Sequence, residues 1–396
     1  MKVDLLLVVD HLARPCGVRT TYLKLFEWCA SNNVSIALIS DTDEELPFQS
    51  IKCRLNILVD DSSKIAEIKR RPFLSLINDH ELVHPDLVYH GISYKDAFYL
   101  DAWNGDREWF GDAERKCRQF VDSIDAKQIL VATQSFLGFA MAFVLGRENV
   151  SICLHTHYAA FYAIRIAGAE NDLFHVLENK IMERLKQVII KSAKNVFLVS
   201  PASKRFFHLN GESNIQIFTP GVDTVLFKPI EKPARRSFRC LYAGRWSKDK
   251  GTGTFVELFN RVPDVNWIVI GNEADTKLPP NVQGLGTLDQ HALAREIGLS
   301  DVVIFYGKWD TFGLVALEAL SCGVPVLAHA ESEISRIIED KCGFSFRTVD
   351  ELIGLVQILM AEKHNLKEMR SEARRTAESM TWSRSIETLM EKMNIG

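Results

Sequence analysis

Val302-Val303-Ile304-Phe305-Tyr306-Gly307-Lys308-Trp309-Asp310-Thr311-Phe312-Gly313-Leu314-Val315-Ala316-Leu317-Glu318-Ala319-Leu320 changes its hydrophobic period in mid-course. Val302–Phe305 is apolar on both faces, the pattern of a parallel strand covered by helices on either side. A glycine turn follows, and Leu314–Cys322 reads as a helix. Units of the same kind lie around it. Arg239–Tyr242, Trp267–Ile270 and Pro325–Ala328 read as further strands, with helices Thr254–Arg261 and Asp289–Ile297 between them. Upstream the alternation recurs. Leu5–Val9, Ser35–Ile39, Leu87–Tyr89, Ile129–Ala132, Ser151–Leu154 and Val196–Val199 read as strands. Thr20–Ser31 and Asp172–Lys194 read as helices, the latter from apolar residues recurring at three and four residue spacing.

Two successive β-α series predict an α/β protein of two doubly wound, Rossmann-like domains, residues 1–215 and 216–378. The segment from Phe218 to Arg236, with Pro220, Pro229 and Pro233, reads as the hinge. Ligands of such sheets bind at the carboxyl ends of the strands, and two facing edges predict one site in the cleft between the domains.

Length and composition agree. The 396 residues exceed one ordinary core, and 47% hydrophobic with 25% charged residues is globular usage. Lys and Arg number 47 against 51 Asp and Glu, a net charge of −4, so no global basic field for nucleic acid exists. The eight cysteines form no C-x-x-C pair, which argues against zinc and disulfide frameworks and for a reducing cytoplasm. The opening apolar run Leu5–Val9 is too short for a secretory signal core. The uncharged stretch from Gln128 to Gly146 is divided by Thr133-Gln134-Ser135 into a strand and a buried helix, not a membrane span.

Chemistry gathers in the second series. After the strand ending at Ala243 comes Gly244-Arg245-Trp246-Ser247-Lys248-Asp249-Lys250-Gly251. A guanidinium can grip two phosphate oxygens and a lysine adds a mobile point charge, although the same residues also suit a solvated basic turn. Asp310 and Glu318 are two carboxylates across a glycine turn and the start of a helix. The N–H groups near Gly313, Leu314 and Val315 form an anion site at that helix N-terminus. One carboxylate can reach a sugar hydroxyl and the other a ribose. Asp310 also reads as a helix cap, and Glu318 as a member of a solvated face.

The order G-R-x4-K-G, then D-x-F-G-x4-E-A-L-x-C-G-x-P-V, resembles the retaining glycosyltransferases of family 4, which have the two-domain fold called GT-B. The segment Pro220-Gly221-Val222-Asp223-Thr224-Val225-Leu226-Phe227-Lys228-Pro229 is similar to that family's interdomain segment. The resemblance implies that Arg245 and Lys250, beside Gly244, neutralise a leaving nucleoside diphosphate. It implies that Glu318 holds the ribose hydroxyls and that Asp310, where the family usually has glutamate, contacts the donor sugar. Phe312, Gly313, Leu314 and Val315 then lie in the donor-binding turn. In the N-terminal half Cys16-Gly17-Val18-Arg19 keeps only Gly17 of a loop that usually has two glycines. His155 stands where the family has an active-site histidine. His155-Thr156 with Tyr162 looks most like the sulfolipid-synthase and lipid-mannosyltransferase branch. His80, His84 and His90 fall in a stretch similar to the family's P-D-V-V-H-x-H strand rather than in a metal site. The C-terminal segment 379–396, holding helix Trp382–Met393, is expected to cross back to the first domain.

The implied reaction is front-face sugar transfer from a nucleoside-diphosphate sugar, a UDP-sugar preferred on family grounds, to a hydroxyl acceptor. No metal and no cofactor are expected, and the acceptor is expected to be a lipid or a glycan. Lys180, Arg184, Lys186 and Lys191 with Tyr158, Phe161, Tyr162 and Arg165 suit peripheral contact with anionic lipid at the cytoplasmic face of a membrane, or an ordinary solvated face. Rival readings of the same architecture are a sugar phosphorylase, a nucleotide-sugar epimerase and a non-catalytic nucleotide-sugar-binding subunit.

Overall fold

The computed structural model describes residues 1–9, 12, 16–40, 44–56, 119–133, 149–155, 193–206, 209, 213–232, 237–247, 250–308, 310–338, 341–362 and 366–396. They form two compact units, Met1–Phe218 with Ile386–Gly396, and Thr219–Ser385.

The first unit is built on seven strands: β1 (Lys2–Val9), β2 (Ile36–Ser40), β3 (Ile51–Asn56), β4 (Asp125–Thr133), β5 (Val150–Leu154), β6 (Asn195–Leu198) and β7 (Ile215–Ile217). Every pairing is parallel, in the order β3-β2-β1-β4-β5-β6-β7. β2 and β5 are buried along their whole length, as strands covered on both faces must be. Helix α1 (Gly17–Ser31) turns Val18, Tyr22, Leu25, Phe26 and Cys29 inward at helical spacing. A short turn of helix, α2 (Ser203–Phe206), follows β6.

The second unit repeats the plan with β8 (Arg239–Ala243), β9 (Asn266–Ile270), β10 (Val282–Gly284), β11 (Val302–Phe305), β12 (Val326–His329) and β13 (Gly343–Phe346). The order β10-β9-β8-β11-β12-β13 is again wholly parallel. Helices α3 (Thr252–Arg261), α4 (Gln290–Leu299), α5 (Leu314–Ser321), α6 (Ile334–Ile338), α7 (Val349–Ala361) and α8 (Leu366–Glu378) accompany these strands, and α9 (Trp382–Lys392) closes the chain. An aromatic cluster of Tyr242, Phe255, Phe259 and Trp267 fills the core between β8, β9 and α3. In both units the chain winds outward from its first strand and then returns to that strand's other side. The reversal leaves a crevice between β1 and β4, and between β8 and β11, at the carboxyl ends of the strands.

The motif from Pro220 to Pro229 has a packing reason. Val222 bridges to Thr381, and a Cβ on Gly221 would lie 2.2 Å from the Trp382 backbone nitrogen, so only glycine admits this approach. Asp223 Oδ1 accepts the N–H groups of Val225 and Leu226, turning the chain so that Phe227 is buried. The Arg374 guanidinium of α8 donates to the carbonyls of Thr224, Phe227 and Ser321, tying this segment to the end of α5. α9 straddles the division of the chain, with Ser385 in the second unit and Ile386 in the first. The sequence places the domain limits at 215/216 and 378/379, and the units divide at Phe218/Thr219 and Ser385/Ile386.

The predicted strand Leu87–Tyr89 and most of the predicted helix Asp172–Lys194 lie outside the described residues. The strands β3, β7, β10 and β13 were not expected. All four are sheet edges, where one side faces no strand and the residues need not form an apolar run.

Candidate functional site

The described residues of the loop leaving β8 are tied by their own backbone and by one aromatic side chain. Gly244 N–H donates to Ile270 O at 3.0 Å, Ser247 N–H to Arg245 O at 3.1 Å and Lys250 N–H to Ser247 O at 2.9 Å. The Tyr242 hydroxyl donates to the same Arg245 carbonyl at 2.7 Å. Trp246 turns inward and stacks on Phe259, with ring planes 9° apart. Arg245, its neighbour, is exposed. Gly251 ends the loop at φ +82°, and a Cβ there would lie 2.5 Å from the Tyr306 ring. Both the dihedral and the close approach demand glycine.

β11 is the parallel neighbour of β8, so the loop that leaves it arises beside the first. Asp310 N–H donates to Gly307 O at 3.1 Å, closing a turn. The Phe305 ring occupies the space that side chains on Gly307 and Gly313 would need, with Gly313 at φ +117°. This packing carries Asp310 toward β8, where its Oδ1 pairs with Lys250 Nζ. The pair is mostly buried, with side-chain exposures of 20% for Lys250 and 29% for Asp310. Two residues sixty positions apart are thereby joined across the crevice.

The helices that start here differ from others in the chain. Asp289 caps α4 and Thr348 caps α7 with side-chain oxygens. α3 and α5 instead have the left-handed glycines Gly251 and Gly313 at their N-caps, and no side chain caps either. Asp310 is thus not the cap of α5. First-turn N–H groups left without a side-chain acceptor, at the positive end of a helix, favour an anion.

Glu318 sits on α5 among buried Ala316, Leu317, Ala319 and Leu320. Its Oε2 is buried and has no hydrogen-bond partner, and burial pushes the carboxyl up to about 7. Glu318 is half-buried with one carboxylate oxygen buried, so a fully solvated helix face does not describe it. A buried acceptor without a donor costs on the order of 1–3 kcal/mol, so it fits a ligand that brings hydroxyl groups. Phe312 is buried in the protein, and Leu314 and Val315 are half-buried.

In the first unit, Gly17 is the exposed first residue of α1, and the Cys16 sulfur accepts the Arg19 N–H at 3.5 Å. His155 follows β5 and is buried, its Nε2 2.7 Å from the hydroxyl of the fully buried Tyr22. That bond, with an edge-to-face ring contact at 5.3 Å, orients the imidazole. Sequence reading passed over Tyr22, whose only local signal is its place on the buried stripe of α1. It also passed over Ser247 and Tyr306. Thr156, His157, Tyr158, Phe161, Tyr162, Arg165 and the histidines at 80, 84 and 90 lie outside the described residues. Among the described residues no group of three histidine, cysteine or acidic side chains is placed to hold a metal ion, and no helix is long and apolar enough to cross a membrane.

Residues 227–377 match the family model described as glycosyl transferases group 1. A D-inositol 3-phosphate glycosyltransferase of Arthrobacter sp. (strain FB24) is 30% identical over 38% of this chain and 43% of its own length. A GDP-mannose-dependent alpha-(1-6)-phosphatidylinositol dimannoside mannosyltransferase of Mycobacterium tuberculosis (strain ATCC 25177 / H37Ra) is 28% identical over 46% of this chain and 52% of its own length. The chain thus spans about half the length of these curated relatives. Among solved structures, Anabaena HepE in complex with UDP and glucose is 15% identical with a TM-score of 0.67, covering 99% of each chain. That likeness shows the fold, GT-B with two Rossmann-like domains. The resemblance read from the motifs, to family 4 and its lipid-glycosyltransferase branch, is found again by these comparisons.

Proposed function

We propose that the chain is a retaining glycosyltransferase that moves a sugar from a nucleoside-diphosphate sugar, a UDP-sugar by preference, to a hydroxyl of a lipid or glycan acceptor. The observation that carries the reading is the Lys250–Asp310 pair at the β8/β11 crevice, flanked by two helix N-termini without side-chain caps. The matched relatives are named for glycosyl transfer, and HepE was solved with UDP and glucose.

Each residue then has a physical task. The diphosphate replaces Asp310 as the partner of Lys250 and is gripped by the Arg245 guanidinium, while the N–H groups at the starts of α3 and α5 add fixed partial charge. These donors lie ready before the glycosidic bond weakens, so they stabilise charge developing on the leaving group without reorganising. Asp310, released from Lys250, faces hydroxyls of the donor sugar. Glu318 accepts the ribose hydroxyls that its buried oxygen lacks. Incoming hydroxyl and leaving diphosphate stand on one face of the sugar, so the leaving oxygen takes the proton and configuration is retained. No metal is assigned a task. His155, held by Tyr22, serves the acceptor side. Cys29, Cys53, Cys153, Cys240, Cys322 and Cys342 are free thiols, in keeping with the reducing cytoplasm proposed for it, at the cytoplasmic face of a membrane where the acceptor is a lipid.

The experiment is a thermal-shift and hydrolysis screen with UDP-, GDP- and ADP-sugars on the wild type and Lys250→Ala. Loss of one preorganised donor should lower turnover on the order of 10²–10³-fold in a folded protein. Wild-type turnover by folded Lys250→Ala would remove the clamp assignment. Preference for GDP-mannose, the donor in one relative's name, would replace the UDP-sugar.

A further inference from the structure

Ser247 stands between Arg245 and Lys250 on the β8 loop, and its hydroxyl oxygen is buried with no hydrogen-bond partner. The backbone of the same residue is fully committed, with its N–H on Arg245 O at 3.1 Å and its carbonyl accepting Lys250 N–H at 2.9 Å. On one side Trp246 is stacked against Phe259 in the core, and on the other Lys250 is held by Asp310. An unpaired buried hydroxyl is costly, and such groups in a folded protein call for an explanation. Among the described residues of this loop, no packing contact supplies one.

We infer that Ser247 Oγ donates a hydrogen bond to an oxygen of the nucleoside diphosphate, as a third side chain of the phosphate site beside Arg245 and Lys250. The inference rests on the function proposed above and adds to it a residue that neither the motif nor the charge pattern marks. A serine hydroxyl is a suitable third group because it brings a short, directional donor without adding charge. Its partner is already anionic, and hydrogen bonds to ionised acceptors are the strong ones. The unsatisfied hydroxyl of the free protein then becomes part of the reason why the loop binds, since the diphosphate removes that penalty.

The test compares wild type, Ser247→Ala and Lys250→Ala by calorimetric titration with UDP, GDP and ADP, and with uridine, guanosine and adenosine. Thermal melts of the ligand-free proteins accompany it. Ser247→Ala should weaken binding of the preferred diphosphate roughly tenfold and leave the matching nucleoside unchanged. Its melting temperature should equal or exceed that of the wild type, because removing an unpaired buried hydroxyl removes a penalty. Unchanged diphosphate affinity in Ser247→Ala overturns the inference. So does a lowered melting temperature, or equal weakening of nucleoside and diphosphate, either of which makes the hydroxyl structural. Lys250→Ala separates the two levels. If it loses diphosphate binding while Ser247→Ala does not, only the serine assignment fails. If neither variant loses it, the phosphate site itself is misplaced and the serine assignment falls with it.

Discussion

Replacing Glu318 with glutamine removes an ionisation that the fold opposes, and the consequence can be worked out. Burial raises the carboxyl from 4.5 to about 7. A raised carboxyl holds its proton in the folded state over a range where the unfolded chain has released it. Its contribution is therefore fully present below pH 4.5 and lost as pH rises through about 7. The difference of roughly 2.5 pH units corresponds to about 3 kcal/mol, at about 1.36 kcal/mol per unit. Glutamine has the same shape and no titration. It carries its own pH-independent cost for an unpaired amide, so the informative quantity is the change of the wild-type/variant difference with pH. Urea unfolding followed by tryptophan fluorescence at pH 5, 6, 7 and 8 measures it. At pH 5 a part of this is already lost, so from pH 5 to 8 the variant should gain about 2.5 kcal/mol on the wild type, equivalent to about 5–10 °C in the melting of a domain of this size. Ligand binding should show the complement. Ribose hydroxyls favour the ionised carboxylate, so wild-type affinity for the preferred nucleoside diphosphate should rise up to about tenfold per pH unit below 7 and then level off. Glu318→Gln should bind at least about tenfold more weakly at pH 8, with that slope gone. Parallel stability curves for the two proteins, or equal binding at pH 8, would refute the reasoning.

Two more predictions follow from the neighbouring residues. Asp310→Asn removes the negative charge that occupies Lys250, so nucleoside diphosphate should bind about tenfold more tightly while sugar transfer falls, read by calorimetry and by turnover; weaker diphosphate binding would show that Asp310 does not compete for the lysine. Gly251→Ala puts a Cβ 2.5 Å from the Tyr306 ring at φ +82°, which should cost on the order of 1–3 kcal/mol of strain and lower both melting temperature and diphosphate affinity, whereas Gly253→Ala, inside α3 with nothing within 4 Å, should leave affinity unchanged and raise the melting temperature slightly.

The interior strands were legible because a parallel strand covered on both faces must be apolar throughout. Val302–Phe305 could hardly be read otherwise, and its bounds agree with β11 residue for residue. The edges β3, β7, β10 and β13 were missed for the converse reason. Lys52, Arg54 and Gln283 can stand in edge strands because one side of each needs no apolar cover. In the candidate site, residue type and spacing single out Arg245, Lys250, Asp310 and Glu318, and the family resemblance supplies the roles expected of them. Tyr22 could not be singled out, because its bond to His155 spans 133 positions and leaves no local pattern.

The sequence alone determined two α/β series, the loops that carry the charges and the helix starts beside them, because period and glycine placement are local properties of the chain. The tertiary structure decided the rest. It paired Lys250 with Asp310, made glycines rather than side chains the N-caps of α3 and α5, and buried one oxygen each of Ser247 and Glu318 without a partner. These are statements about what lies next to what. Whether a polar atom is satisfied depends on groups brought in from distant parts of the chain, so only the folded arrangement can say which atoms have a partner.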